Sequence, residues 1–421
     1  MRIDKRNKKR KIYRRILYIG LGLSIVTLGG MWIWDVWNKV PSRIHVRAGQ
    51  EQGLEFYVPA TATIYKNQEQ GLVNVNLNQE LTFYGEAEDT YTMEVDLFGF
   101  IPFKQSAVSV IQEKKVTPIG YPVGIYVQTD GILVIDTGSF LSETGKKVSP
   151  AKNLLLPGDY ICEVNQEIIE TKSELMERIE QCNGEVLNLK VRREDNYSEI
   201  VIEPSKDKKG EYKLGIWVRD NAQGIGTLTY ADENGDFGAL GHGINDVDTT
   251  NLMEMKEGGL YKADIISVAK GEKGSPGELT GVIAYSDYYK LGEIYRNTQK
   301  GVYGHLEVEN IQMDEQRIPI ALKQEIEKSD AKILCTISTE PELFDVKITA
   351  IHQENDNINR GLEIKVTDER LLEITGGIVQ GMSGAPILQN GRIVGAVTHV
   401  LVNDPTRGYG IFIENMLETA K

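Results

Sequence analysis

The stretch GMSGAPILQNGRIVGAVTHV, residues 381–400, decides how the second half of this chain is read. Small residues surround Ser383, a proline follows at Pro386, and Asn390-Gly391 separates two apolar runs. Asn-Gly between apolar runs is a strong short-range hairpin signal. The stretch therefore predicts a tight loop, a strand over Pro386–Gln389, a turn, and a second strand over Arg392–Val400. Gly381 lets the backbone turn so that the amides of Gly381 and Ser383 point together, as an oxyanion hole requires. Gly384 and Ala385 leave room for a substrate carbonyl. Ser383 is thus a candidate nucleophile, and the competing reading is a serine in a glycine-rich turn.

A serine hydroxyl needs a base to accept its proton. His242 has the most suitable setting of the five histidines: FGALGHGINDVD is an apolar strand running into a ring flanked by Gly241 and Gly243. His45 follows the apolar N-terminal run in a polar stretch, and His305 and His352 have no small neighbours to clear space. His399 lies on the second hairpin strand and reads as a cleft wall or buried polar residue. Carboxylates able to orient the imidazole and support its charge are Asp246, Asp248, Asp345 and Asp368. Local Asx turns account for the first two, in NDVDTTN; spacing alone does not choose among the four. The pattern Gly-x-Ser-Gly-x-Pro, with an apolar strand and hairpin after it, resembles the nucleophile region of chymotrypsin-like serine proteases.

The rest of the chain frames this site. With 421 residues, 41% of them hydrophobic, there is room for several cores. Residues 1–15 hold nine Lys/Arg and one Asp; the total is −14, so the remainder is at −22. That acidic bulk makes nucleic acid a poor partner. Residues 16–34, ILYIGLGLSIVTLGGMWIW, carry no charge, and about 20 apolar residues span a bilayer as a helix. Trp32, Trp34 and Trp37 stand where an interfacial aromatic belt belongs. We read 1–15 as a basic cytoplasmic tail and 16–37 as a transmembrane anchor, with the remainder outside the cytoplasm by the positive-inside rule. A cleaved signal peptide is the rival. Cys162, Cys182 and Cys335 are too few for a disulfide framework, no Cys/His cluster has metal-ligand spacing, and no cofactor is expected.

Residues 38–110 alternate in short β-like segments and read as a small β-domain or pro-region. Residues 111–205 contain LLPGDYICEVNQEII, then a helix with a Thr171/Glu174 capping box, an apolar face of Leu175, Met176 and Ile179, and a stop at Gly184. This order resembles a PDZ domain of the bacterial protease type. The resemblance implies strand addition of a peptide, with a peptide-binding loop at Gly120, Gly124 and Ile125. Residues 206–421 read as a β-barrel or double barrel. The overall expectation is mainly β: an N-terminal transmembrane helix, a small β-domain, a PDZ domain and a C-terminal chymotrypsin-like β-barrel protease domain.

The N-terminal apolar run, the PDZ signature, GALGHGINDVDT, KVTDERLLEITGGIVQGMSGAPI and AVTHVLVNDPTRGYGIFIENML together resemble the stage IV sporulation protein B peptidase family. The resemblance implies a triad of His242, Asp368 and Ser383, with Asp368 only 15 positions before the serine. It further implies a single-pass location in the inner forespore membrane, with the catalytic domain in the intermembrane space, and self-cleavage in the N-terminal region. The implied substrate is the extracytoplasmic part of a regulator of an intramembrane metalloprotease, whose cutting activates a late mother-cell sigma factor. A non-catalytic PDZ adaptor or scaffold is the alternative, distinguished by the failure of Ser383 to react with a fluorophosphonate.

Overall fold

A computed structural model describes residues 2–66, 73–307, 316–354 and 357–419, with side chains from Tyr13 onward. The expected strands GLVNVNLN and HLEVEN begin or end outside these residues, and the side chains of most of the basic tail also lie outside them. The chain forms two compact units, 1–113 and 114–421.

The first unit opens with α1 (Arg2–Lys39), one helix long and apolar enough to cross a bilayer, as an anchor or a signal sequence does. Its last turn enters a β-domain core, where Val36 and Val40 are buried. That domain holds a five-stranded sheet of β1 (Arg43–Arg47), β2 (Ala60–Tyr65), β3 (Val73–Asn76), β4 (Asp89–Leu97) and β5 (Ile101–Ile111), in the order β1-β5-β4-β2-β3. Alternation along β5, with Val108 and Val110 buried, is what a half-buried strand dictates.

The second unit begins with Lys115–Pro118 and the 16-residue strand β6 (Pro122–Thr137). Next come β7 (Tyr160–Val164), α2 (Lys172–Gln181), β8 (Leu187–Arg193) and β9 (Asn196–Ile202). The capping box forms as expected: the Thr171 hydroxyl accepts from the Glu174 amide and the Glu174 carboxylate accepts from Thr171. Leu175 and Ile179 turn inward onto Ile132, Ile161 and Leu189, whereas Met176 stays exposed. This is the PDZ-like region.

The chain then returns through a second 16-residue strand, β10 (Ile216–Ala231), and adds β11 (Asp236–Ala239), β12 (Met255–Ala269), β13 (Lys290–Thr298) and β14 (Gly301–Leu306). Strand β6 pairs with both β10 and β12, and this closes a six-stranded barrel in the order β6-β10-β11-β14-β13-β12. Its core includes Val123, Ile125, Leu228, Phe237, Leu260 and Val302. A second closed barrel follows: β15 (Asp330–Thr336), β16 (Pro341–Ile351), β17 (Leu362–Val366), β18 (Pro386–Gln389), β19 (Arg392–Leu401) and β20 (Asp404–Phe412), ordered β15-β16-β17-β20-β19-β18. A short helix, α3 (Glu369–Thr375), separates β17 from the nucleophile loop. Counted along the chain, both barrels have the same order of pairing. The hairpin expected from Asn390-Gly391 forms as β18–β19.

These pairings divide the second unit differently from the expected 111–205 and 206–421. The first half of β6 and the second half of β10 belong to the first barrel, and their remaining halves (near 132–137 and 216–219) belong to the PDZ-like sheet. The PDZ-like region is therefore inserted between two barrel strands. The reason lies in strand length: both strands exceed what one layer needs, and each is buried by a different core along its two halves. A fragment starting at residue 206 lacks a strand bonded on both edges. It is expected to be unfolded by near-ultraviolet circular dichroism, while 114–421 folds; a folded 206–421 fragment would contradict this topology.

Candidate active site

The nucleophile loop depends on two left-handed glycines, Gly381 (φ +97°) and Gly384 (φ +98°). A Cβ on Gly384 would meet the Thr227 carbonyl oxygen at 2.1 Å and the Leu240 amide nitrogen at 2.6 Å, so the loop reaches the first barrel through a glycine. Thr227, on β10, donates its amide to the Ser383 carbonyl at 2.9 Å and its hydroxyl to the Gly381 carbonyl at 2.8 Å. The Gly384 amide donates to the Val397 carbonyl at 2.7 Å. These bonds hold the loop by the Gly381 and Ser383 carbonyls and the Gly384 amide. Among the described residues, the Gly381 and Ser383 amides meet no acceptor. Two open N–H groups beside a serine are the donors an oxyanion requires.

His242 follows β11 through Leu240 and Gly241, both left-handed at φ +67° and +69°. The Leu240 conformation is costly for a residue with a Cβ. A Cβ on Gly241 would lie 2.9 Å from Ile411 and 3.1 Å from Thr398, so glycine brings the strand end against the second barrel. His242 Nδ1 is 2.9 Å from the Gly243 carbonyl oxygen. A carbonyl accepts, so the proton sits on Nδ1 and Nε2 is left as the basic nitrogen. Burial lowers the His242 pKa from 6.5, against the opposing effect of the Gly243 hydrogen bond. The ring is therefore neutral at pH 7.

Ser383, His242 and His399 line one cleft of about 490 Å³, with Gly381 and Gly243 on its wall. The two imidazole centroids are 5.0 Å apart at a 36° tilt. His399 is lowered to about 4, first by burial and then by the charges of His242 and Arg360. The Ser383 hydroxyl donates to the Thr398 carbonyl at 2.7 Å. In this state the hydroxyl points its proton at a backbone oxygen of β19 and not at a base.

Asp368, expected to orient His242, is bound elsewhere. It is the N-cap of α3 and accepts from the amides of Arg370 at 3.0 Å and Leu371 at 3.4 Å. Its other oxygen accepts from the Asp345 amide at 3.2 Å and from the Arg370 guanidinium at 3.0 Å. The Arg370 bond, foremost, pulls its pKa down to about 2. It does not line the cleft, and the causes of the His242 shift include no carboxylate. The cap signal was present in the sequence as Asp-Glu-Arg before LLEIT. Asp246 is buried, paired with Arg219, and accepts from the Asp248 and Thr249 amides, which is the local turn expected of it.

The loop after His242 is instead fixed by Asn297, a residue no motif marks. Its carbonyl oxygen accepts from the Ile244 amide at 2.8 Å, and its amide group donates to the Ile244 and Met253 carbonyls at 2.8 and 3.0 Å. Three bonds from one side chain hold both ends of the 244–253 loop.

A second cleft, of about 630 Å³, runs between α2 and the start of β10, lined by Leu175, Met176, Ile179, Ile216, Trp217 and Val218. At its end Gly215 is left-handed (φ +74°), and among the described residues the Leu214 and Gly215 amides have no acceptor. The peptide-binding loop expected at Gly120, Gly124 and Ile125 does not line this cleft and lies in the first barrel instead. Gly124 and Ile125 are paired on both sides, with β10 and β12, and the Gly120 amide donates to Leu228. A strand with both edges occupied has none left for a peptide. The missed signal is Leu214-Gly215-Ile216, an apolar-glycine-apolar run directly before β10.

Two barrels of matching strand order with a glycine-built serine loop between them are the architecture of a serine peptidase. Residues 210–417 match the SpoIVB peptidase S55 family, and through them the chain belongs to that family: it is a sporulation serine peptidase. The matched stretch starts after β6, so the first barrel draws one of its six strands from outside it. Part of the chain is also similar to the crystal structure of the PDZ domain of the SdrC-like protein from Listeria monocytogenes, at 23% identity and a TM-score of 0.18, covering 21% of this chain and 87% of that one.

Proposed function

We propose that the chain is a membrane-anchored endopeptidase of sporulation signalling, with Ser383 as nucleophile and His242 as base. The observation that carries this is the shared cleft, where Ser383, a neutral His242 with Nε2 uncommitted, and the open amides of Gly381 and Ser383 occur together. Rotation of the Ser383 hydroxyl from the Thr398 carbonyl to His242 Nε2 starts the reaction. The oxygen attacks the scissile carbonyl as His242 takes its proton, and the two amides receive the oxyanion. His242 then protonates the leaving amine, and water, activated by the same nitrogen, releases the acyl group. The Gly243 carbonyl, on the loop that Asn297 holds, supports the imidazolium on its Nδ1 side. Asp368 contributes by capping α3, which leads into the nucleophile loop.

The chain's own N-terminal region and the extracytoplasmic part of a regulator of an intramembrane metalloprotease are the substrates, and cutting the regulator leads to sigma-factor activation. The PDZ-like cleft presents a peptide to the same second unit. The test is the full chain in vesicles with the purified extracytoplasmic part of that regulator. Discrete cuts in both polypeptides are expected; an intact regulator beside a fluorophosphonate-reactive Ser383 would overturn the substrate assignment and leave the nucleophile standing.

The role given to Asp368 makes a separate prediction. Asn caps helices about as well as Asp, so Asp368→Asn is expected to keep kcat/KM within several-fold of the parent. A carboxylate behind the catalytic histidine would instead cost about 10⁴ in kcat on the same change. Steady-state kinetics on a fluorogenic peptide separate the two outcomes.

A further inference from the structure

The turn between β4 and β5 is apolar in a way the β-domain core does not require. Residues 97–103 read LFGFIPF and carry no charge. Phe98, Phe100 and Ile101 at its tip are 55%, 74% and 43% exposed. Its neighbour is α1: Phe98 stacks on Trp32, with ring centroids 5.8 Å apart and planes at 11°. Trp32 lies inside the uncharged 16–34 run, two residues from its end. At about 1.5 Å per residue, the Phe98 ring is thus level with the last turn of the apolar stretch.

The arrangement is held rigidly. The buried Lys104 ammonium donates to the Trp37 and Val40 carbonyls at 3.2 and 2.6 Å, capping the end of α1, and lies 4.6 Å over the Trp37 ring. Trp37 meets Phe103 edge to face at 5.4 Å. The tip also has its backbone donors satisfied: the Phe98, Gly99 and Phe100 amides donate to Pro59, Asp96 and Leu97. Unpaired amides are what keep irregular backbone out of a bilayer. Tryptophan and other aromatic side chains favour the interfacial layer.

From this juxtaposition we propose that the Phe98–Ile101 tip is a second membrane contact, an aromatic wedge seated in the interfacial layer of the same bilayer that α1 crosses. The proposal rests on reading α1 as a retained anchor. The occupant is lipid because the tip continues the apolar surface of α1 at its interfacial tryptophans. The wedge gives the β-domain a second attachment to the membrane surface beside α1.

The test places a benzoylphenylalanine photo-crosslinker at Phe100, at Tyr84, or at Ile25 in the full chain, reconstituted in vesicles of phosphatidylethanolamine and phosphatidylglycerol. Tyr84 is an exposed aromatic elsewhere in the β-domain, and Ile25 is within the apolar run. Lipid adducts at positions 25 and 100, several-fold above those at 84, are the expected result. Adducts at 25 with none above the Tyr84 level at 100 overturn the wedge and leave the anchor intact. Protein adducts alone at 100 overturn it in favour of a second copy or another protein. No adducts at either 25 or 100 overturn the anchor reading, and the wedge with it.

Discussion

Ser383→Ala chain accumulates uncut at its N-terminal region, cuts no peptide, and keeps its fold. In a serine peptidase, removing the nucleophile costs about 10⁶ in kcat, and the residue of catalysis comes from oxyanion donors and binding. Those donors here are backbone amides of Gly381 and Ser383, which the substitution leaves in place. The structural cost is small. The described side-chain bond of Ser383 is the one to the Thr398 carbonyl, and losing one such bond costs about 1 kcal/mol. The loop itself is held by Thr227 and Val397 through backbone oxygens and amides that alanine retains. A melting curve close to the parent's, beside an intact N-terminal region on a gel, is the expected pair of results. Self-cleavage undiminished in this variant would remove Ser383 from the chemistry.

The second large effect is at His242. Its substitution by alanine is expected to lower kcat by a factor of the same order, about 10⁶, because serine and histidine act as one unit. The parent enzyme carries a further signature in its pH profile. A general base must be unprotonated, and burial lowers the His242 pKa from 6.5. Activity is therefore retained as pH falls through 6.5 and is lost below it, on protonation of the ring. The acid limb of kcat/KM reports the free enzyme, so kcat/KM against pH on a fluorogenic peptide reads this directly. An acid limb above 6.5 would mean that a carboxylate stabilises the imidazolium, and among the described residues none contributes to the His242 shift.

Local patterns carried the parts of the fold that sequence made legible. Asn390-Gly391 announced the β18–β19 hairpin because two residues set its turn, and Thr171 with Glu174 announced α2 for the same reason. Gly241 and Gly243, read as clearing space around His242, instead let the strand end pack closely against Ile411 and Thr298. What stayed hidden depends on pairing across the chain. Gly120, Gly124 and Ile125 look like a flexible glycine loop in one dimension. They are fixed in a barrel by partners about 100 and 135 residues later, such as Gly224 and Leu260. The insertion of the PDZ-like region was equally hidden, since β6 and β10 are each one continuous strand in the structure and change sheet midway. Asp368 shows the converse: its role in the structure is local, a helix cap with Arg370, while the resemblance implied a long-range one. Asn297 had no signal at all, because an isolated asparagine between Arg296 and Thr298 discloses nothing about the loop it will bind.

The central claim, that Ser383 of the second barrel is activated by His242 of the first, is tested most directly by locating a fluorophosphonate adduct by peptide mass spectrometry in the folded full chain. The account predicts one adduct, on the peptide containing Ser383, and its loss in His242→Ala. An adduct on a different residue, or labelling of Ser383 that is undiminished without His242, would contradict it.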